Sequence, residues 1–199
     1  MKLAPDAYIA FEAERRVGAG SLRDVVCAAR ATLDRRQDAA ILIFDSHTGS
    51  VVDIDLRGSI GDVLARIPPT EGQEAREDIA TAPRGPGRPK LGVVAREVTL
   101  LPRHWDWLAQ QKGGASVAIR RLVEEARRAN EDKDRVRLAQ EAAYRFISTM
   151  AGNRPHFEEA IRALFAYDSG RFEKLIAEWP ADIRDHAAAL AARAFSREP

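Results

Sequence analysis

The sequence predicts an α+β protein in four parts: a small α+β domain at residues 1–67, a Pro/Gly/Arg-rich linker at 68–92, a strand-helix-helix motif at 93–130 and a helical bundle at 131–199. Three observations support this division. Short β-branched and aromatic runs in the first part have strand composition, which predicts an α/β-hairpin unit. The second part has no hydrophobic period, which is typical of a flexible linker. In the last part, apolar side chains recur at helical spacing.

The first part contains two helix starts of the same kind. Ser21 is followed by Asp24, and Ser59 is followed by Asp62. Both pairs match the capping box, in which the serine and acidic side chains each bind a backbone amide of the other residue. We therefore expect a helix to begin after each serine. Before the first of them, residues 8–13 have the composition of a strand.

Two further runs, residues 40–44 and 50–56, flank a segment that contains Asp45 and Gly49. Asp and Gly favour tight turns, so we predict that the two runs form a β-hairpin. Apolar and charged residues alternate along the second run, which indicates one packed face and one solvent face. The charged residues of that face are Asp53, Asp55 and Arg57. We expect its aspartates to be solvated rather than to bind a metal or transfer protons.

The sequence has no catalytic or metal-binding signature. Cys27 is the only cysteine, so an internal disulfide cannot form, and its apolar neighbours predict a core position. The four histidines are scattered, and there is no Gly-Lys-Ser/Thr phosphate loop or nucleophile elbow. We therefore expect no enzyme activity, catalytic residue, metal or cofactor. An active site assembled from distant residues of the first part stays open as an alternative.

Hydropathy predicts a soluble protein. No stretch approaches the roughly 18 uninterrupted apolar residues of a membrane span. The first residues lack the apolar run of a secretory signal, so we expect a cytoplasmic protein without a membrane partner. With 199 residues, 45% of them hydrophobic, the chain is long enough to bury a core.

Charge is distributed unevenly, although the formal net charge is only +1. Residues 1–83 have 10 basic and 14 acidic side chains, residues 84–130 have 10 and 4, and residues 131–199 have 11 and 12. A basic middle segment is typical of a nucleic-acid contact surface, because phosphate neutralisation drives such binding. A solvated basic helix face is the alternative that charge alone leaves open.

The linker ends in Pro-Arg-Gly-Pro-Gly-Arg-Pro-Lys at residues 83–90. Its Gly-Arg-Pro core resembles an AT-hook, in which an extended backbone lays an arginine along the narrow minor groove of A·T-rich DNA. The resemblance implies DNA contacts from Arg84, Arg88 and Lys90. Pro86 stands where most AT-hooks have arginine, and a basic Pro/Gly hinge is the alternative interpretation.

The next residues resemble a ribbon-helix-helix DNA-binding domain of the Arc/MetJ/CopG type. Residues 95–101 would form its strand, 102–111 its first helix, 113–116 its turn and 117–129 its second helix. The second helix has one apolar stripe, formed by Ile119, Leu122, Val123 and Ala126. A unit this short cannot bury that stripe alone. In the family two chains pair their strands and share one core, so the resemblance implies a homodimer.

The same resemblance implies the contact residues. Two chains would pair through a ribbon formed by Val98, Thr99, Leu100 and Leu101. DNA would be contacted by Arg96, Arg103, Lys112, Ser116, Arg120 and Arg121. Ser116 would also cap the second helix, and Trp105 would face inward with Leu108, one turn away.

Neither face of the predicted strand is polar throughout, because Arg96, Val98 and Leu100 alternate with Glu97, Thr99 and Leu101. Base readout favours polar side chains, so two hypotheses follow. The first is a homodimeric DNA-binding regulatory protein of the transcription-regulator type. The alternative is a protein-interaction module, antitoxin-like or an adaptor, that dimerises through the same ribbon without DNA. The C-terminal bundle is a further candidate site for a protein partner.

The whole chain also resembles a bacterial family described only as a domain of unknown function. The resemblance runs through Asp-Ile-Asp-Leu-Arg-Gly-Ser at residues 53–59, Gly-Arg-Pro-Lys-Leu-Gly at 87–92 and Phe-Glu-Lys-Leu-Ile-Ala-Glu-Trp-Pro at 172–180. It supports the boundaries given above and implies no activity.

Overall fold

The computed structural model of the protein describes residues 7–67, 94 and 96–196. The chain divides into two compact units. Met1–Ile67 and Asp132–Pro199 form the first unit, and Pro68–Glu131 forms the second. The fold is α+β, as the sequence predicts, with a three-stranded antiparallel sheet and seven helices among the described residues.

The strands are β1 (Tyr8–Glu12), β2 (Arg15–Gly20) and β3 (Ile41–Asp45). The helices are α1 (Leu22–Arg35), α2 (Ile60–Arg66), α3 (Pro102–Ala109), α4 (Gly114–Ala151), α5 (Phe157–Phe165), α6 (Ser169–Ile176) and α7 (Ala181–Phe195). Although α4 has 38 residues, no helix in the described part of the chain is long and apolar enough to cross a membrane.

Strand β1 is central in the sheet, whose order is β2-β1-β3. Side chains alternate along a strand, so Ile9 and Phe11 lie on one face and Ala10 on the other. All three are buried, which shows that both faces of β1 are covered. The sequence predicted β1 but not β2, which has only Val17 as a strand-forming side chain and is paired to β1 from Tyr8–Gly20 to Glu12–Arg15.

Helices α1 and α2 cover one face of the sheet. Ala10 and Ile43 of the sheet form one buried cluster with Val25 and Val26 of α1 and Val63 of α2. This apolar cluster holds both helices against β1 and β3, because burying side chains of this size contributes about 1.5–3 kcal/mol each.

Both predicted capping boxes are confirmed. The Ser21 hydroxyl accepts from the Asp24 backbone amide at 3.3 Å, and the Asp24 carboxylate accepts from the Ser21 amide at 3.2 Å. Ser59 and Asp62 make the same pair of bonds at 3.3 and 2.9 Å. The hydroxyl of Ser59 also lowers the pKa of the Asp62 carboxyl by donating a hydrogen bond to it.

The C-terminal helices cover the other face of the sheet. Phe11 and Phe44 lie 5.5 and 5.0 Å from the ring of Phe146 in α4, measured between ring centroids. The same buried cluster continues through Leu164 of α5 and Leu190 of α7. The two ends of the chain therefore share one core.

The predicted hairpin is wrong in its second strand. Residues 52–58 form neither helix nor strand, and Val51 makes only an isolated bridge to Phe44. The turn before them is present, since the Asp45 carboxylate accepts from the amides of His47 and Thr48 at 2.7 and 2.9 Å. Gly49, which follows, has φ +68°. The predicted alternation also holds: the apolar residues pack towards α1 and α2, and the charged ones are exposed.

The predicted core position of Cys27 is wrong, because its side chain is exposed. Helix α1 buries Val25, Val26, Ala29 and Thr32 instead. With 3.6 residues per turn, these four side chains define the packed side of the helix, and Cys27 lies outside it.

Candidate nucleic-acid interface

The predicted contact residues fall into two groups. Arg84, Arg88 and Lys90 of the AT-hook-like segment lie outside the described residues. The remaining predicted residues belong to the described part of the second unit, residues 94 and 96–131, and all have defined positions there.

Two glycines separate α3 from α4. Gly113 and Gly114 have φ of +90° and +77°, which glycine adopts without the penalty that a Cβ imposes. Pro102 occupies the first turn of α3, where its missing N–H leaves no helical bond unmade. Ser116 was predicted to cap the second helix, but α4 already begins at Gly114, so this serine lies inside the first turn.

The second predicted helix does not end near residue 129. Helix α4 continues without a break to Ala151. Exposed ion pairs accompany its polar middle, including Arg135–Asp132 at 3.5 Å and Arg137–Asp134 at 3.1 Å. Pairs at this spacing stabilise a helix by about 0.2–0.5 kcal/mol each. They offset in part the lack of an apolar stripe in the polar middle of α4.

An open groove of about 330 Å³ lies between α3 and the N-terminal part of α4. Apolar atoms alone form its exposed wall. The lining residues are Leu100, His104, Trp107, Leu108, Ile119, Leu122 and Val123. Three residues of the predicted stripe thus lie together on one surface, and most of the groove's large side chains are solvent-exposed in the single chain.

The ribbon residues do not form a strand in this chain, since residues 96–101 have neither helix nor strand. Val98 and Leu101 are 56% and 47% exposed, and Thr99 is exposed as well. Leu100 is half-buried and contributes to the groove. This segment therefore presents apolar side chains next to the groove.

The basic side chains differ in their partners. Glu124 pairs with Arg127 at 3.0 Å and with Arg128 at 3.1 Å, and Glu125 lies 3.8 Å from Arg121. The hydrogen bond from Arg127 is the main reason that the pKa of Glu124 is lowered. Within the described part of the second unit, four exposed cations make no ion pair: Arg96, Arg103, Lys112 and Arg120.

Helix geometry separates the apolar stripe from two basic side chains of α4, Arg120 and Arg121. At about 100° per residue, Arg120 lies roughly 160° around α4 from Leu122, and Arg121 lies about 100° from it. A partner could therefore cover the groove while the guanidinium group of Arg120 stays in solvent.

Two groove residues were not predicted, His104 and Trp107. Trp105, which the sequence predicts to face inward, is exposed, whereas Leu108 is buried as expected. The spacing of these residues along the sequence could have identified them. His104, Trp107 and Leu108 are three and four residues apart, so they share one side of α3.

A family model described as an uncharacterized protein conserved in bacteria, DUF2239, matches residues 7–191. The match begins just before β1 and ends within α7. It confirms the predicted resemblance to a bacterial family of unknown function. No curated protein and no solved structure matches the chain.

Proposed function

This chain belongs to the DUF2239 family of uncharacterised bacterial proteins, and from its own residues we propose that it is a dimeric DNA-binding regulatory protein of the transcription-regulator type. Two chains would associate through the groove and the ribbon residues, and DNA would contact the basic central segment. The observation that supports this proposal best is the separation of exposed apolar side chains from unpaired cations within the second unit.

Association through the groove would remove large apolar side chains from water. Trp107, Leu122 and Val123 are 47%, 41% and 59% exposed. Fully burying side chains of this size contributes about 1.5–3 kcal/mol each, so covering the exposed half of each would contribute several kcal/mol per dimer. When two identical chains pair through the same surface of each, both copies of that surface are buried and neither is left exposed. A second copy of this chain is therefore the occupant that we propose for the groove.

The unpaired cations would supply the phosphate contacts. Arg103, Lys112 and Arg120 have no carboxylate partner among the described residues, so binding DNA breaks no internal ion pair there. A dimer would present each of them twice. Proteins with about 6–10 phosphate contacts lose about 10³–10⁵ in affinity between about 50 and 200 mM salt, and we expect a dependence of this size.

Fluorescence anisotropy of the full chain with duplex DNA across a salt series tests the proposal. We expect Arg103→Gln/Arg120→Gln to weaken binding at least tenfold and to reduce the salt slope by about 3–4, since two contacts are lost in each of two chains. The matched control, Arg171→Gln/Lys174→Gln, removes the same charge from exposed positions of α6 and should leave binding unchanged.

The contribution of the AT-hook-like segment has its own variant. If Arg88 enters the minor groove, the chain prefers A·T-rich to G·C-rich duplexes, and Arg88→Ala loses this preference while retaining part of its affinity. Equal affinity for both duplexes, unchanged in Arg88→Ala, would remove the segment from the DNA contact.

A protein-interaction module that dimerises without DNA is the second candidate. It is favoured by the exposure of Val98 and Leu101 and by the internal pairing of Arg127 and Arg128, because these features suit protein contact better than phosphate contact. A stable dimer in light scattering that shows no DNA binding at low salt would establish this candidate over the first.

A further inference from the structure

A small cavity of about 210 Å³ lies in the first unit, between β1, the turn after β3 and helix α7. Ile9, Ala189 and Leu190 give it an apolar side. Ser46 and His186 give it a polar side. Its volume is below the roughly 300–1,000 Å³ of pockets for drug-sized ligands, so it suits a molecule of only a few non-hydrogen atoms.

Two polar atoms in this cavity have no hydrogen-bond partner among the described residues: Ser46 Oγ and His186 Nε2. Ser46 is only 3% exposed. Its backbone is fully engaged, since its amide donates to the Ala7 carbonyl at 2.9 Å and its own carbonyl accepts from Arg193 at 2.8 Å. A buried hydroxyl without a partner is unfavourable, and a ligand that accepts its proton would remove that cost.

Two arginines line the same cavity, and neither makes an ion pair within the described residues. Arg193 donates to the Ser46 carbonyl. Arg16 donates its backbone amide to the Asp182 carboxylate at 2.7 Å, so this bond leaves its guanidinium group available to a ligand. Asp185 is the one carboxylate among the cavity's described lining residues, and it lies 2.9 Å from Arg184.

The positive charges of Arg193 and Arg16 affect the pKa of the His186 imidazole. Burial, followed by the guanidinium charges of Arg193 and Arg16, lowers the pKa of His186 from 6.5 to about 4. The ring is therefore neutral at pH 7, and a neutral imidazole can carry its one proton on Nε2. In that tautomer the cavity offers a hydroxyl, an imidazole N–H and two guanidinium groups, all of them donors.

We propose that this cavity binds the carboxylate or phosphate group of a small metabolite, with Ser46, His186, Arg16 and Arg193 as the recognising residues. Arginine pairs well with planar or tetrahedral oxyanions, and the hydroxyl and imidazole would satisfy further oxygen lone pairs. The apolar side formed by Ile9, Ala189 and Leu190 would accept a short carbon chain. The site is independent of the proposed DNA contact, because all of its residues belong to the first unit.

Calorimetric titration of the full chain with sodium butyrate and with inorganic phosphate tests the site and separates the two anion classes. Butyramide serves as the uncharged analogue of butyrate, and sodium chloride controls for ionic strength. We expect saturable binding of at least one anion and none of butyramide. Arg16→Gln should weaken binding at least tenfold, and Ser46→Ala should weaken it severalfold. The matched control Arg23→Gln, at an exposed position of α1, should leave it unchanged.

A second measurement locates the bound anion. An oxyanion beside the imidazole stabilises its protonated form, so the pKa of His186 measured by NMR should rise when the ligand is added. Binding that leaves this pKa unchanged, or that persists equally in Arg16→Gln, would overturn the proposal. So would the absence of any saturable anion binding by the folded wild-type protein.

Discussion

The imidazole ring of His186 contacts Phe146 edge-on, with ring centroids 4.6 Å apart and an interplanar angle of 79°. The same imidazole lies 6.0 Å from the ring of Phe11, so α7, α4 and β1 meet at this histidine. Protonation would place a cation among apolar rings and beside Arg16 and Arg193, which explains the direction of its pKa shift.

We expect the free energy of unfolding to fall as the pH is lowered from 7 to 5. The pKa of His186 is lowered from 6.5 to about 4 on folding, so between these values the unfolded chain binds more protons. The stabilisation is complete above pH 6.5 and is lost as the pH falls towards 4, and this histidine alone should cost about 2 kcal/mol between pH 7 and pH 5. Urea unfolding at both pH values measures the effect. His186→Gln should show a smaller pH dependence, and an equal dependence would contradict the assignment.

Gly49→Ala should destabilise the first unit by about 2 kcal/mol or more. Gly49 has φ +68°, and a Cβ there would lie 2.7 Å from the carbonyl carbon of Ala142 in α4. Thermal unfolding measures the change. Gly170→Ala is the control, because a Cβ at that helical position has open space, and it should stabilise by about 0.5–1 kcal/mol. If the two substitutions changed the free energy of unfolding equally, Gly49 would not be packed against the backbone of α4.

Ser21→Ala should destabilise the protein by about 1 kcal/mol, because the hydroxyl accepts the Asp24 amide at the start of α1. Ser116→Ala should change stability by less than about 0.5 kcal/mol, since Ser116 lies within a helix and is exposed. Chemical denaturation of both variants tests the pair. A large loss in Ser116→Ala would restore its predicted role as a cap.

Leu122→Glu should convert the proposed dimer to a monomer at concentrations where the wild type is dimeric. The substitution places a charge in the apolar groove, where its desolvation opposes association. Leu138→Glu is the matched control, since Leu138 is similarly exposed on the same helix but belongs to the first unit. Light scattering distinguishes the two states. A dimer that survives Leu122→Glu would place the interface elsewhere.

Local patterns predicted both helix starts in the first part of the chain. Ser21 and Ser59 begin helices because a capping box satisfies amides within three residues, so no distant partner is needed. The strand β2 was missed for the opposite reason. Its residues Arg15–Gly20 have little intrinsic strand preference and form a strand because β1 offers them a hydrogen-bonding edge.

Local sequence patterns could not predict that the sheet and the C-terminal helices share one core. Helical spacing identified Phe146 as an inward-facing residue, but a period does not say which surface it faces, and its partners Phe11 and Phe44 lie in the first 44 residues. The groove was predictable in part, because the stripe around Leu122 follows from helical spacing. Its other side needed the Gly113–Gly114 turn, which returns the chain so that α3 faces α4.

The hydrogen bond between Arg16 and Asp182 spans 166 residues of sequence. A ribosome adds about 5–20 residues per second, so the sheet emerges on the order of ten seconds before α7 is made. Phe11 and Phe44 lack Phe146 on their side of the sheet until α4 is made, whereas the side that faces α1 can be covered earlier. The aromatic face of the sheet is therefore completed last during synthesis, because its cluster includes Leu190 of α7, and exposed apolar surface of this kind favours aggregation of the unfinished chain.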